Sequence, residues 1–135
     1  VSGVVLDASA VLAFVYAEDG AEAVEPLLDG ARISAVNWSE VLTKILAHAG
    51  DPGRLGSQIL ALGPEIEPFT RADAEHAATL YPATSTRGLS LGDRACLAVA
   101  KRLAATAVTA DQAWTEFDHG VEVRLIRPPQ KQRSR

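Results

Sequence analysis

Ser90-Leu-Gly-Asp-Arg-Ala-Cys-Leu-Ala-Val-Ala-Lys-Arg-Leu-Ala-Ala-Thr-Ala-Val-Thr-Ala-Asp111 is the stretch that decides the fold. It reads as a helix that opens with Asp93 and runs to about Ala104. A short strand, Ala107 to Thr109, follows and delivers Asp111 just past its end. In a layered α/β protein, helices run antiparallel to the parallel strands they cover. A helix N-terminus and the C-terminal end of the next strand therefore lie at one edge of the sheet, where such folds bind ligands. Asp93 and Asp111 are thus expected to meet in space.

Working outward, Gly3 to Leu6 is a short apolar run, a buried strand ending at Asp7. Helices are expected over Ser9 to Ala17, Ala21 to Leu28, Val36 to Ala49, Arg54 to Leu62 and Thr70 to Tyr81. Ser9 is available as an N-cap, and Thr70 to Asp73 has the form of a capping box. Strands are expected at Ala31 to Ser34, Pro64 to Phe69 and Val121 to Ile126, with a polar loop from Pro82 to Gly88 and a short helix near Gln112 to Phe117. Alternating strands and helices imply an α/β fold of three layers, a short, mostly parallel central sheet covered by helices on both faces.

At 135 residues the chain is long enough to bury a real core, and residues 1–127 are read as one domain. The 47% hydrophobic and 22% charged content is that of a water-soluble globular protein. Cys96 is the single cysteine, which excludes an intrachain disulfide and suits a reducing cytoplasm. The apolar N-terminal run lacks a basic flank and is interrupted by Asp7, so neither a signal peptide nor a membrane span is expected. A formal charge of −4 argues against nucleic-acid binding by bulk electrostatics. Charge is uneven, however: Arg124, Arg127, Lys131, Arg133 and Arg135 crowd the C-terminus. Residues 128–135 read as a disordered basic tail, or as an arm that contacts phosphates.

Four acids are expected at one edge: Asp7, Glu40, Asp93 and Asp111. Each has a plain structural role open to it. Asp7 and Asp111 are placed as helix N-caps, Ser90 and Asp93 fit a capping box, and Glu40 stands four residues before Lys44, the favoured order for a helical ion pair. On an ideal helix the stripe Trp38, Val41, Leu42, Ile45 and Leu46 faces away from Glu40. For Glu40 to point into the site, that helix must be covered on more than one side. Jointly the acids say more. Carboxylates gathered at one edge repel, and an all-oxygen cluster suits Mg²⁺ or Mn²⁺, ions that activate water and stabilise charge on a phosphoryl group. Ser9 and Thr109 are small hydroxyls beside Asp7 and Asp111, able to hold a carboxylate or a water. Arg94 and Arg87 are the nearest bases in sequence, and Arg94 is equally able to pair with a site acid. Other chemistries find no support. His48, His76 and His119 have no zinc spacing, there is no phosphate-binding glycine loop or nucleophile elbow, and Cys96 sits among apolar residues as an inert thiol.

Val5-Leu-Asp-Ala-Ser-Ala, Asn37-Trp-Ser-Glu-Val, Gly88-Leu-Ser-Leu-Gly-Asp-Arg-Ala and Val108-Thr-Ala-Asp, in this order, resemble the motifs of PIN-domain ribonucleases, most closely VapC-type toxins of bacterial toxin–antitoxin pairs. The resemblance spans roughly Val4 to Ile126. It implies a PIN-like fold and a metal-dependent endoribonuclease. Asp7, Glu40, Asp93 and Asp111 would hold Mg²⁺ or Mn²⁺, with Ser9 and Thr109 as supporting polar groups. It further implies an RNA substrate, a homodimer, and a cognate antitoxin whose C-terminal segment lies along the active-site groove. Two other classes fit strand-end acids. One is a receiver-like regulatory domain, although no short strand here ends in the lysine such domains carry; the other is a non-catalytic scaffold that binds a partner.

Overall fold

Val4–Leu6 (β1) lies at the centre of a five-stranded sheet, and its neighbours explain the rest. The computed structural model describes residues 3–129. The strands are β1, Arg32–Ser34 (β2), Glu65–Glu67 (β3), Thr106–Thr109 (β4) and Val123–Leu125 (β5), in the order β3-β2-β1-β4-β5. All four pairings are parallel, with Leu6 opposite Val108 and Ile33 opposite Ile66. Every strand therefore ends at the same edge, which carries Asp7 and Asp111.

The helices are Ala8–Val15 (α1), Ala21–Val24 (α2), Ala35–Ala47 (α3), Pro52–Leu60 (α4), Arg71–Thr79 (α5), Tyr81–Thr84 (α6) and Leu91–Leu103 (α7). Strand side chains alternate between the faces. Leu6, Ile33 and Val108 pack with Val11, Val24, Val41, Ile45 and Ile59 of α1 to α4. Val5 and Ala107 pack on the opposite face with Cys96, Leu97, Val99 and Ala100 of α7 and with Trp114. The expected α/β layering, helices on both faces of a parallel sheet, is what the chain adopts.

Local chemistry moves several boundaries. The helix from Ala21 gives way to a 3-10 turn at Glu25–Leu27, because Pro26 has no N–H to continue the ladder. Pro52 begins a helix: Asp51 accepts from the Arg54 N–H as N-cap and Pro52 takes the first turn, so α4 starts two residues before Arg54. The segment expected as a polar loop after Tyr81 is α6 followed by a 3-10 turn, Ser85–Arg87, held by the buried Thr84 hydroxyl donating to the Leu80 carbonyl at 2.9 Å. Helix α1 is capped by Asp7, with Ser9 inside its first turn. Helix α7 begins at Leu91 with Ser90 as cap, which puts Asp93 at its third position. Lys131, Arg133 and Arg135 of the basic tail lie outside the described residues.

Candidate active site

Asp7 follows the central strand and is 3% exposed. The backbone N–H of Ala10 donates to its Oδ1 at 2.8 Å, the N-cap bond of α1. Ser9 Oγ donates to the same carboxylate, 2.7 and 2.9 Å from its two oxygens, and Thr109 Oγ1 donates to Oδ2 at 2.6 Å. The two hydroxyls also tie β4 to the site. Ser9 Oγ accepts from the Ala110 N–H at 3.0 Å, and Thr109 Oγ1 accepts from the Asp111 N–H at 3.1 Å. Burial outweighs these bonds and pushes the Asp7 carboxyl up to about 6, with the Asp93 charge adding to the rise.

Asp93 sits in a reciprocal capping box: its Oδ2 accepts from the Ser90 N–H at 2.8 Å, and Ser90 Oγ accepts from the Asp93 N–H at 3.2 Å. Burial raises its carboxyl above the ordinary range, against those Ser90 bonds, and the neighbouring Asp111 charge raises it further. Asp111 caps the 3-10 turn Gln112–Thr115, accepting from the Ala113 N–H at 2.9 Å. Glu40 reaches the same place from α3. Its carboxylate packs on Gly92 so closely that a Cβ there would overlap it. The exposed Leu46 and the packing of Trp38 and Leu42 on Gly56 of α4 show how this is possible. The stripe that periodicity grouped together is divided, Val41 and Ile45 facing the sheet and Trp38 and Leu42 facing α4, so the Glu40 side remains for the site.

Asn37, 1% exposed, was not singled out by sequence reasoning. Its Nδ2 donates to Glu40 Oε1 at 2.8 Å and to the Gly92 carbonyl at 3.0 Å, locking α3 to the first turn of α7. Its Oδ1 is buried with no hydrogen-bond partner among the described residues. The available signal was its position, one turn before Glu40 on the same side of α3. The Glu40–Lys44 ion pair considered from sequence does not form among the described residues. Nor does Arg94 turn to the acids: it donates to the Ala77 carbonyl at 3.1 Å and lies over the Tyr81 ring, while Arg87 lies over Phe117.

The edge thus holds four carboxylates with no cation in ion-pair range among the described residues. The charges of Asp7, Asp93 and Glu40 all reach the buried Cys96 thiol, which burial has already pushed far up, so the thiol is inert. Asp93 Oδ1, Asp111 Oδ2 and Glu40 Oε2 accept no hydrogen bond among the described residues. No three carboxylate, imidazole or thiol groups among the described residues already close around one point. The donor set nonetheless fits a hard divalent ion: oxygens only, uncommitted lone pairs on three carboxylates, and an orphaned amide oxygen at Asn37 that a metal's water can satisfy.

The chain is similar in fold to a toxin–antitoxin complex chain from Klebsiella pneumoniae, at 17% identity and a TM-score of 0.73, covering 92% of this chain and 98% of that one. It is similar to a chain of DNA-bound VapBC from Salmonella typhimurium at 15% identity and TM-score 0.70, covering 93% and 99%. VapC20 from Mycobacterium tuberculosis, described as a sarcin-ricin loop cleaving toxin, gives 16% identity and TM-score 0.68 over 84% and 94%. No curated protein sequence matches the chain. The PIN domain family model matches residues 4–120, a span that includes Asp7, Glu40, Asp93 and Asp111, and the chain therefore belongs to the PIN domain family.

Proposed function

We propose that the protein is a metal-dependent endoribonuclease that hydrolyses RNA phosphodiester bonds, the toxin of a toxin–antitoxin pair. One observation carries the reading. Asp7, Glu40, Asp93 and Asp111 gather at the C-terminal edge of the sheet, and among the described residues none of them has a cation in ion-pair range. The Arg94 charge lowers Asp93 only against the larger effect of burial. A protein that needed these groups only as helix caps would have no use for Glu40, which caps nothing.

Asp7, Glu40, Asp93 and Asp111 would hold one or two Mg²⁺ or Mn²⁺ ions. When bound, such ions supply a water of lowered pKa and stabilise negative charge on the phosphate and the leaving oxygen. The chain's own residues do the positioning. Ser9 and Thr109 fix both oxygens of Asp7 and hold the β4 end against α1. Asn37 orients Glu40 across the gap between α3 and α7. Burial holds the Asp7 carboxyl at about 6, so a cation would compete with a proton there in mildly acidic solution. Attack by water on the scissile phosphate with departure of the 3′-oxygen leaves a 5′-phosphate and a 3′-hydroxyl. The comparisons with the VapBC chains support a cognate antitoxin as partner, and the motif resemblance supports a homodimer. Among the described residues no helix is long and apolar enough to cross a membrane.

The test is cleavage of RNA by purified protein free of antitoxin, in Mg²⁺ or Mn²⁺, with EDTA and Asp93→Asn as controls. Cleavage lost in both controls is the expected result. Cleavage that survives either one contradicts the proposal.

A further inference from the structure

Beside the acids, between α1 and α3, lies a cavity of about 440 Å³ to which the motifs assign no role. Ser9 lines it, so its wall is one hydrogen bond from the Asp7 carboxylate. Along α3, Glu40, Lys44 and His48 follow at intervals of four, so the helix face that presents Glu40 to the acids continues into this cavity as Lys44 and His48. Along α1, Ser9, Leu12 and Tyr16 form the facing stripe. At the far end Tyr16 and His48 stack, ring centroids 4.9 Å apart and planes tilted by 33°. His48 Nδ1 lies 2.8 Å from the Lys44 carbonyl, so in the neutral ring Nδ1 carries the proton and Nε2 is left as an acceptor.

Arg127 closes the cavity. Its guanidinium donates to the Asp19 carbonyl at 3.0 Å, pinning it across the α1–α2 turn. The same residue lines the adjoining hollow formed with Asp111 and Gln112. It therefore stands between the aromatic pair and the acids. Lys44 and Arg127 make no side-chain ion pair among the described residues. Glu18 at the rim disfavours a free anion or an acidic peptide, whereas it accepts the N–H donors of a nucleobase.

We infer that this cleft is a subsite for one nucleotide of single-stranded RNA next to the scissile phosphate. Its base stacks on the Tyr16–His48 pair, and its phosphates are held by Lys44 and Arg127. The combination of two cations with an aromatic platform is what binds unpaired nucleotides without a sequence-reading groove. Such a subsite would let a chain whose net charge is −4 bind RNA, since the positive charge is local and adjoins the acids. The inference rests on the nuclease reading above.

The experiment is fluorescence anisotropy with a short, labelled, unstructured RNA in Mg²⁺, on the Asp93→Asn background so that the RNA stays intact. Lys44→Ala and Arg127→Ala are each expected to reduce the slope of log affinity against log salt by about 1. Tyr16→Ala is expected to weaken binding about tenfold, with Tyr16→Phe close to the parent. Lys44 is exposed, so its substitution leaves folding intact and a silent result is informative. Parent-like affinity and salt slope in Lys44→Ala and Tyr16→Ala would overturn the subsite. So would unchanged RNA binding with weakened binding of an oligoglutamate peptide, which would mark the cleft as a protein-docking surface. The same RNA is offered to the variants with Asp93 intact. If the parent cleaves it and Asp93→Asn does not, silent cleft variants remove only the subsite. If the parent neither binds nor cleaves, the nuclease reading falls and takes the subsite with it.

Discussion

Two helices of this protein begin with the same device. Thr70 and Asp73 form a capping box at α5, and Ser90 and Asp93 form one at α7, each with both reciprocal bonds made. Around them the electrostatics are opposite. Asp73 is 2% exposed, yet Arg102 donates to both its oxygens at 2.9 and 3.1 Å and reaches Glu67 and the Pro68 carbonyl as well. Burial works to raise the Asp73 carboxyl, but the Arg102 and Thr70 bonds outweigh it and hold it below the ordinary value. Asp93 has no such partner. Burial and the Asp111 charge hold it above. A carboxylate kept charged by a fixed arginine is committed to structure, whereas one kept among other carboxylates has the surroundings that the proposed metal site requires.

The largest contrast should come from substituting the two boxes. Asp93→Asn is expected to cut RNA cleavage by at least about a hundredfold while leaving the metal-free protein as stable as the parent or more so, because a repulsive charge is removed. Arg102→Ala should do the reverse. Cleavage per folded molecule stays near the parent value, and denaturant unfolding shows a loss of about 1–2 kcal/mol, because Asp73 loses its charge-assisted bonds while solvent reaches the space left by the exposed guanidinium. A strongly destabilised Asp93→Asn would put it in the structural class with Asp73.

Gly92→Ala sharpens the comparison from the other helix. The added Cβ meets the Glu40 carboxylate, the far end of a flexible side chain. The side chain can move aside, so stability should change by less than about 1 kcal/mol. Manganese affinity and cleavage should nonetheless fall about 10- to 100-fold, as for other groups that orient a ligand. Asn37→Ala, which frees Glu40 from its tether, should act in the same direction.

The smallest effect is in pH. The folded Asp7 carboxyl sits at about 6, above its unfolded value near 4, so the native state binds the extra proton between these limits. Metal-free stability should therefore be greatest below about pH 4 on this account and fall as pH rises to about 6. Urea midpoints measured across that window should drift downward, and Asp7→Asn should flatten the drift. Asp93, also raised, adds to the drift, whereas Asp73, held low, acts the opposite way and loses its contribution as pH falls below 4. The difference between parent and Asp7→Asn is the informative quantity.

The parallel sheet was legible because Val4–Leu6 and Thr106–Thr109 are short β-rich runs, each followed by an acid, in a chain of alternating helical periods. Boundaries were less so. Pro26 and Pro52 act in opposite ways for reasons set by their position in a turn, and only the Asp51 cap distinguishes the second. The hydroxyl bridge from Ser9 and Thr109 to Asp7 follows from two short motifs at adjacent strand ends, and the sequence reading placed those hydroxyls beside the acids. Asn37 was missed because a buried amide has no period of its own. The Tyr16–His48 cleft was missed for another reason. Its parts come from α1, α3 and the residue after Ile126, and only the packing of α1 on α3 brings them together.

The most direct test of the central claim is binding of Mn²⁺ to the purified protein by calorimetry, comparing the parent with Asp7→Asn/Asp93→Asn and with Arg102→Ala. The account predicts one or two sites in the parent, lost in the double variant and kept in Arg102→Ala. Binding that is absent from the parent, or that survives loss of both Asp7 and Asp93, would contradict it.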